Sequence, residues 1–229
     1  MTMIKAVLFD FGETLQDRTE AFEGYMNSFF AEFFPDLSSE EKERRKEEMR
    51  ITGNGGYVTA KGFYSSRDAW YDDLSKRWKW ENAPSGKELT LHYDTTFGDH
   101  NVIFPNSPKV LEKLKKRGYI VGIITNGPSL LQHHKLDVSG LRKFFDIIVV
   151  SGDIGIHKPN PEIFTYTVNK LGLNPDECVY VGDHPINDIR ASLEAGLKAI
   201  RMNTGWFKNR DLRDDVPIID DIFDVLKYV

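Results

Sequence analysis

The sequence predicts an α/β protein with a doubly wound, Rossmann-like and mostly parallel sheet, joined to a small all-helical domain. Three observations support this fold class. The chain opens with a short apolar run, Ala6–Phe9, which is typical of a strand buried on both faces. Residues 18–97 show helical periodicity and no buried strand. From Pro105 onward apolar strands alternate with helices, the pattern of a parallel sheet covered by helices.

The helical segment starts with an aromatic stripe at the spacing of an amphipathic helix, which we interpret as core. Its pattern predicts four helices, near residues 22–33, 38–49, 70–78 and 87–97. A glycine-rich loop at 52–57 follows no strand, so it is either a connection or a mobile loop that reaches a substrate. We therefore expect a helical domain of residues 16–98, inserted into a core of residues 1–15 and 99–229.

The alternating part of the chain predicts the remaining strands and helices of the core. The predicted strands are 119–125, 145–151, 179–183 and 197–202. The predicted helices are 108–117, 161–172, 185–196 and 221–228. Open parallel sheets bind ligands beyond the carboxyl ends of their strands, so the residues that end these strands are the candidates for function.

Polar residues follow several of these strands. Asp10 comes directly after the first, where a carboxylate is a nucleophile, a metal ligand or simply the cap of a turn. The run Thr125-Asn126-Gly127 ends the second and offers a hydroxyl and backbone N–H groups that suit an oxyanion. Asp183 and Asp188 follow a later strand, and Lys158 lies in the loop between. Three carboxylates at one edge would need a divalent cation, and the lysine could neutralise an incoming anion.

The composition argues against other classes of function. A net charge of −5, without a separate Lys/Arg cluster, argues against nucleic-acid binding. No apolar run approaches the about 20 residues of a membrane span, and the first residues lack the pattern of a secretion signal. The single cysteine, Cys178, lies in an apolar run and fits a reducing compartment, so we expect a buried, inert thiol in a cytoplasmic protein.

These residues resemble the four motifs of the haloacid dehalogenase-like superfamily, hydrolases that use an aspartate nucleophile. Phe9 to Leu15 resembles the first motif and Thr125-Asn126 the second. Lys158-Pro159 is similar to the third and Gly182 to Asp188 to the fourth. The helical insert resembles the cap domain of that superfamily. The order of the motifs is specific for the superfamily but not for a substrate, because the cap selects the substrate.

The resemblance implies a Mg²⁺-dependent phosphomonoester hydrolase that acts on a small phosphorylated metabolite. Asp10 would attack phosphorus and form an aspartyl-phosphate. The Mg²⁺ ion would be held by Asp10, Asp183 and the backbone carbonyl of Gly12.

The phosphate would be held by the Thr125 hydroxyl, by Lys158, by the backbone N–H of Asn126 and by Gly127. Thr125 and Lys158 would also stabilise the charge that develops during the reaction, and so count as catalytic with Asp10. Asp188 would stand behind them and orient Lys158 or a metal-bound water.

One position departs from the pattern of the family. Its phosphatases usually carry a second aspartate two residues after the nucleophile, as general acid and base, and this chain has Gly12 there. We therefore expect rates that depend steeply on the pKa of the leaving group. Glu13 could replace the missing acid, although a solvated or ion-paired turn residue is the simpler interpretation. His157 and His184 are alternative donors.

Three functions are compatible with these residues, and we favour the phosphatase. A haloacid dehalogenase would use Asp10 at carbon without a metal, but resembling dehalogenases lack the pair formed by Asp183 and Asp188. A catalytically weak relative that binds phosphate ligands or a partner protein is kept open by Gly12. The sequence predicts no nucleic-acid or membrane partner, and it is compatible with a monomer or a homodimer.

Overall fold

The structure is a computed structural model that describes residues 2–53, 57–59, 62–210 and 215–229. The chain folds as two compact units, one formed by Met1–Arg18 with Asn101–Val229 and the other by Thr19–His100. The first unit contains the sheet, and the second is helical. Half of the glycine-rich loop expected at 52–57, residues 54–56, lies outside the described part of the chain, and Thr52 and Gly53 are helical.

A six-stranded parallel sheet forms the centre of the first unit. The strands within the described residues are β1 (Ala6–Phe9), β2 (Gln16–Asp17), β3 (Val102–Ile103), β4 (Ile120–Thr125), β5 (Ile147–Val150), β6 (Cys178–Gly182), β7 (Lys198–Met202) and β8 (Ile218–Ile219). Their order in the sheet is β5-β4-β1-β6-β7-β8, and β2 pairs with β3 in a separate antiparallel ribbon. The predicted doubly wound, mostly parallel sheet is confirmed.

Helices connect these strands and build the second unit. They are α1 (Arg18–Phe33), α2 (Ser39–Gly53), α3 (Arg67–Arg77), α4 (Gly86–Thr96), α5 (Ser107–Lys116), α6 (Ser129–Val138), α7 (Ser151–Ile154), α8 (Glu162–Leu171) and α9 (Ala191–Glu194). Short helical turns lie at Phe97–His100, Arg142–Phe144, Pro175–Glu177, Pro185–Arg190, Gly205–Phe207 and Ile222–Lys227. None of the helices described is both long enough and apolar enough to cross a membrane.

The strand β1 lies in the middle of the sheet and is apolar throughout because both of its faces are covered. Val7 and Phe9 face a cluster that includes Leu111 and Leu114 of α5. Ala6 and Leu8 face the other side, where Ile163, Phe164 and Val168 of α8 pack against the sheet. Since the side chains of a strand alternate between its two faces, a strand of this kind carries no polar residue until it ends.

The helical unit is held together mainly by aromatic side chains. The predicted stripe of α1 is buried, and Tyr25 packs edge to face against Tyr93 with ring centroids 4.7 Å apart. The hydroxyls of Tyr25 and Tyr71 also share a hydrogen bond of 2.7 Å. At the start of α2, the Ser38 hydroxyl accepts from the backbone N–H of Glu41. This stripe is therefore core of its own unit.

Among the strands and helices labelled above, the sequence did not predict β2, β3, α6, α7 and β8 of the first unit. The helix α6 crosses over between the parallel strands β4 and β5, and such strands require a connection of this kind. Its apolar residues follow a weak helical pattern, since Leu130 and Val138 are exposed while Leu131 and Leu136 are buried. The strand β8 has two residues and is too short for an alternating pattern.

Candidate active site

The chain turns polar where the central strands end. Asp10 and Asp183 directly follow β1 and β6, and Thr125 is the last residue of β4. These three strands are neighbours and parallel, so their carboxyl ends meet at the same edge of the sheet. The backbone N–H of Asp10 donates to the carbonyl of Val181 at 2.9 Å, which fixes the start of the first loop.

Three buried carboxylates gather at this edge. One carboxylate oxygen from each of Asp10, Asp183 and Asp188 lies within 4.8 Å of the other two. The backbone N–H of His184 donates to Oδ2 of Asp188 at 2.9 Å and turns that side chain toward the strand. Gly182 makes the approach possible, because a Cβ at that position would lie 2.5 Å from the Cβ of Asp188. The cluster therefore depends on close packing as well as on charge.

Lys158 lies inside this cluster and uses all three of its N–H donors. Its Nζ donates to Oδ1 of Asp10 at 2.7 Å and to Oδ1 of Asp188 at 2.6 Å. The third bond, of 2.9 Å, goes to the hydroxyl of Tyr180, which itself donates to the carbonyl of Ile124 at 2.8 Å. Only 3% of the Lys158 side chain is exposed. The lysine therefore holds the Asp10 carboxylate in one orientation.

Burial and mutual charge shift the pKa values of this cluster. Burial alone would lower the pKa of Lys158, but the carboxylates of Asp10 and Asp188 raise it well above its usual value. Burial raises the pKa of Asp10, and Lys158 opposes that rise. Burial and the charges of Asp188 and Asp10 raise the pKa of Asp183 well above its usual range. With all three carboxyl groups ionised, the single ammonium would leave an excess of two negative charges in a buried site, which is why the pKa of Asp183 rises.

Asn126 joins two of the predicted loops. Its side-chain amide donates to the carbonyl of Lys158 at 2.8 Å and accepts from the N–H of Lys158 at 2.9 Å. The peptide bond from Lys158 to Pro159 is cis. The N–H of Gly127 donates to the hydroxyl of Ser151 at 3.0 Å. That N–H is thus engaged within the fold, and the place of Gly127 among the phosphate-binding residues stays a prediction.

Two polar side chains in the site were missed from the sequence, namely Tyr180 and Gln132. Tyr180 lies in the middle of the apolar strand β6, and a buried phenol needs a hydrogen-bond partner, which is a signal that the sequence did contain. Gln132 lies on the unpredicted helix α6, and its amide donates to the hydroxyl of Thr125. Without that helix, no pattern in the sequence points to Gln132.

A model of the family described as haloacid dehalogenase-like hydrolase matches residues 7–202. The chain belongs to the haloacid dehalogenase-like hydrolases. The match extends from β1 to the end of β7, and thus includes every strand end described above.

Named relatives cover nearly the whole chain. The glyceraldehyde 3-phosphate phosphatase of Methanopyrus kandleri is 33% identical over 224 residues, which are 94% of this chain and 91% of the relative. The phosphoglycolate phosphatase of Pasteurella multocida is 26% identical, with 99% and 98% covered. The magnesium-bound crystal structure of the HAD-hydrolase YfnB from Bacillus subtilis matches with a TM-score of 0.78 at 22% identity, and 99% of each chain is covered.

This haloacid dehalogenase-like hydrolase has an unusual turn after Asp10. Glu13 has a left-handed backbone with φ of 60° and is only 8% exposed. Its side chain packs against Gly205, where a Cβ would lie 2.8 Å from Cγ of Glu13. Its charge contributes to the raised pKa of Asp183. Glu13 is therefore not solvated, because the turn points this carboxylate into the protein, whereas its interpretation as an ion-paired turn residue stays a prediction.

The two histidines proposed as alternative donors differ in their surroundings. Nδ1 of His184 accepts from the backbone N–H groups of Ile186 and Asn187 at 3.2 and 3.1 Å, so the neutral ring carries its proton on Nε2. Burial, and then the charge of Lys158, lowers the pKa of His184, which favours that neutral form. His157 is exposed, although it precedes the buried Lys158.

Proposed function

We propose that this chain is a Mg²⁺-dependent phosphomonoester hydrolase, which acts on a small phosphorylated metabolite through an aspartyl-phosphate at Asp10. One observation carries the proposal: a buried aspartate at the end of the central strand is held by Lys158, within a carboxylate cluster that has excess negative charge. The phosphatase names of the two relatives support the same reaction.

The donor set fits a magnesium ion. The cluster offers only oxygen atoms, which are the ligands that hard divalent cations prefer. We propose Asp10, Asp183 and the backbone carbonyl of Gly12 as ligands, with Asp188 close enough to share the site. Two backbone hydrogen bonds pair Gly12 with Gln16: the N–H of Gln16 donates to the carbonyl of Phe11, and the N–H of Glu13 donates to the carbonyl of Gln16. The carbonyl of Gly12 takes part in neither of them. When bound, the ion would neutralise charge on the phosphoryl oxygens.

Each residue of the site has its own role in the proposed reaction. A carboxylate oxygen of Asp10 forms a bond to phosphorus, and the bond from phosphorus to the leaving oxygen breaks with its electron pair on the leaving group. Lys158 holds Asp10 in place through its N–H groups and offsets the phosphoryl charge through its own positive charge. The Thr125 hydroxyl and the N–H of Asn126 bind the phosphoryl oxygens. Asp188 orients Lys158 through their 2.6 Å bond. Water then attacks phosphorus, the bond from phosphorus to Asp10 breaks with its electron pair on the Asp10 carboxylate, and inorganic phosphate leaves with both protons of the water.

Gly12 determines which leaving groups depart readily. A glycine cannot protonate the leaving oxygen, so that oxygen departs as an anion unless another group supplies the proton. Phenolates and the carboxylates of acyl phosphates tolerate this better than alkoxides do. The compounds named for the two relatives, glyceraldehyde 3-phosphate and phosphoglycolate, are both alkyl phosphates. A substrate panel should therefore include both, because their leaving groups are the ones that most need a proton.

Phosphate release from aryl, acyl, sugar and nucleotide phosphates, with and without Mg²⁺, tests this proposal. We expect turnover that requires Mg²⁺, is faster for the aryl and acyl phosphates, and is lost in Asp10→Asn. Equal rates on aryl and alkyl phosphates would refute the role given to Gly12. Vanadate binding without turnover of any substrate would favour the second candidate, a phosphate-binding relative of low activity, which Gly12 also supports.

The helical domain of residues 16–98 is our proposal for the cap that selects the leaving group. The buried aromatic core of that unit lets it keep its own shape. Exchange of this segment for that of a related phosphatase tests the assignment. If it is correct, the substrate preference follows the exchanged segment, whereas the need for Asp10 and Mg²⁺ is unchanged.

A further inference from the structure

Behind Thr125 lies a buried chain of two polar side chains on α6. The side-chain amide of Gln132 donates to the hydroxyl oxygen of Thr125 and, at 3.1 Å, to the carbonyl of Asn126. Nζ of Lys135 donates to Oε1 of Gln132 at 3.0 Å. Gln132 is 4% exposed and Lys135 is 3% exposed. Both side chains are therefore held away from water, where each hydrogen bond has a defined direction.

The direction of the Gln132 amide is fixed from both of its ends. An ammonium group can only donate, so the atom of Gln132 next to Lys135 must be its oxygen. A carbonyl can only accept, so the atom next to Asn126 must be the NH₂ group. Both constraints agree, and they leave the second N–H of that group on the hydroxyl oxygen of Thr125. The absence of a side chain at Gly127 gives this amide its room, because a Cβ there would lie 2.9 Å from Cγ of Gln132.

The orientation of the amide determines what the Thr125 hydroxyl can do. Its oxygen accepts the N–H of Gln132, so its own proton is the part left for a ligand at the strand ends. Nζ of Lys135 also lies 4.9 Å from the ring centroid of Phe11, the residue after Asp10. The positive charge of Lys135 thus lies near the loop that follows β1 as well as near the loop that follows β4.

We propose that Gln132 and Lys135 are positioning residues, which present the Thr125 hydroxyl to a phosphoryl oxygen as a hydrogen-bond donor. This inference rests on the proposed function, since it assigns a role within the same site. Neither residue touches the substrate: Lys135 orients the amide, the amide orients the hydroxyl, and the hydroxyl contacts the phosphoryl group. An unoriented hydroxyl would spend part of its time as an acceptor, which an anionic ligand cannot use.

The variant Gln132→Glu tests this role with a change of one atom. A carboxylate only accepts, so the Thr125 hydroxyl would donate to residue 132 and turn its proton away from the ligand, while Lys135 keeps a partner. We expect kcat/KM to fall by a factor of about 10 to 100, which is less than the about 10² to 10³ of a donor lost outright, because the hydroxyl is misdirected and not removed. The affinity for inorganic phosphate in the presence of Mg²⁺ should fall as well. Asn169→Asp makes the same chemical change at an exposed position of α8 and should keep the wild-type rate.

A double-mutant cycle separates positioning from a general loss of structure. If Gln132 acts through Thr125, then Gln132→Glu should change the rate by less than about threefold once Thr125→Val has removed the hydroxyl. Should Gln132→Glu fail to fold, Lys135→Met provides the second variant. It frees the amide to rotate, and we expect a drop in kcat/KM of about three- to tenfold that also disappears in the Thr125→Val background.

Each outcome bears on one of the two proposals. A wild-type protein that neither releases nor binds phosphate refutes the proposed function itself. Wild-type turnover combined with effects of Gln132 and Thr125 that multiply refutes only the positioning role. Unchanged kcat/KM and unchanged phosphate affinity in Gln132→Glu refute it as well.

Discussion

Replacement of Asp183 by asparagine should stabilise the metal-free protein and abolish its stabilisation by Mg²⁺. Burial, followed by the charges of Asp188, Asp10 and Glu13, raises the pKa of Asp183. Between the ordinary and the raised pKa, the metal-free folded protein keeps a proton that the unfolded chain has lost. Its stability therefore falls as the pH rises through that window. Asparagine keeps the shape of the side chain and removes the charge, so it removes this cost.

The size of the effect follows from the distances in the cluster. Two unit charges at the 4.8 Å limit of the cluster repel each other by about 3.5 kcal/mol when the effective dielectric constant is about 20. Asp183 meets two such carboxylates. The ammonium of Lys158, whose effect on Asp183 is smaller than theirs, offsets part of their repulsion, and the proton that Asp183 keeps relieves more of it. We expect a net gain of about 2 kcal/mol, or about 4–8 °C in melting temperature for a protein of this size. Mg²⁺ at about 100 times its Kd would stabilise the wild type by about 2.7 kcal/mol.

Calorimetry of both proteins in EDTA, and then in saturating Mg²⁺, measures these two effects. In EDTA at neutral pH, Asp183→Asn should melt at the higher temperature, and the difference should shrink as the pH falls toward the ordinary pKa of aspartate. Asp36→Asn, at an exposed position, is the control. It should neither raise the melting temperature in EDTA nor abolish the stabilisation by Mg²⁺. A variant that melts at or below the wild-type temperature in EDTA would refute the electrostatic reasoning. A Mg²⁺ shift that survives in Asp183→Asn would refute the assignment of that residue as a ligand.

Three further predictions concern single side chains. Gly12→Asp should raise the hydrolysis of alkyl phosphates by a factor of about 10² or more and leave aryl phosphates nearly unchanged; a uniform change in both rates would contradict it. Tyr180→Phe removes one of the three acceptors of Lys158, so kcat in the phosphate-release assay should fall about tenfold, and an unchanged kcat would speak against that role. Burial raises the pKa of Cys178 to about 11, so thiol reagents should label it at the rate of unfolding; rapid labelling of the folded protein would disprove this.

The sequence predicted those parts of the fold that depend on local pattern. The strand β1 was recognisable because it is buried on both faces and then ends at Asp10. The rule that ligands bind beyond the carboxyl ends of parallel strands was enough to group Asp10, Thr125 and Asp183 from the sequence alone. Their separation along the chain did not matter, because strand ends are marked by a change from apolar to polar residues.

The remaining features depend on contacts that no local pattern encodes. The burial of Glu13 follows from a left-handed backbone and from the lack of a side chain at Gly205, far along the chain. The use of the Gly127 N–H by Ser151 depends on how two loops meet. Gln132 was missed because it lies on α6, a helix that the sequence did not predict since its amphipathic pattern is weak. Positions of this kind are determined by tertiary packing, so a sequence can name the residue without indicating its partner.

The reciprocal bonds between Asn126 and Lys158 affect how mutagenesis at this edge would be understood. An alanine scan deletes the carboxamide that ties the two loops together, yet it leaves every main-chain hydrogen untouched. A loss of activity in Asn126→Ala would therefore indicate that Lys158 is displaced, and not that a contact to the phosphoryl group is missing. Only a backbone replacement, such as an ester in place of the amide at residue 126, removes the N–H of Asn126 and so tests its contact to the phosphoryl group directly.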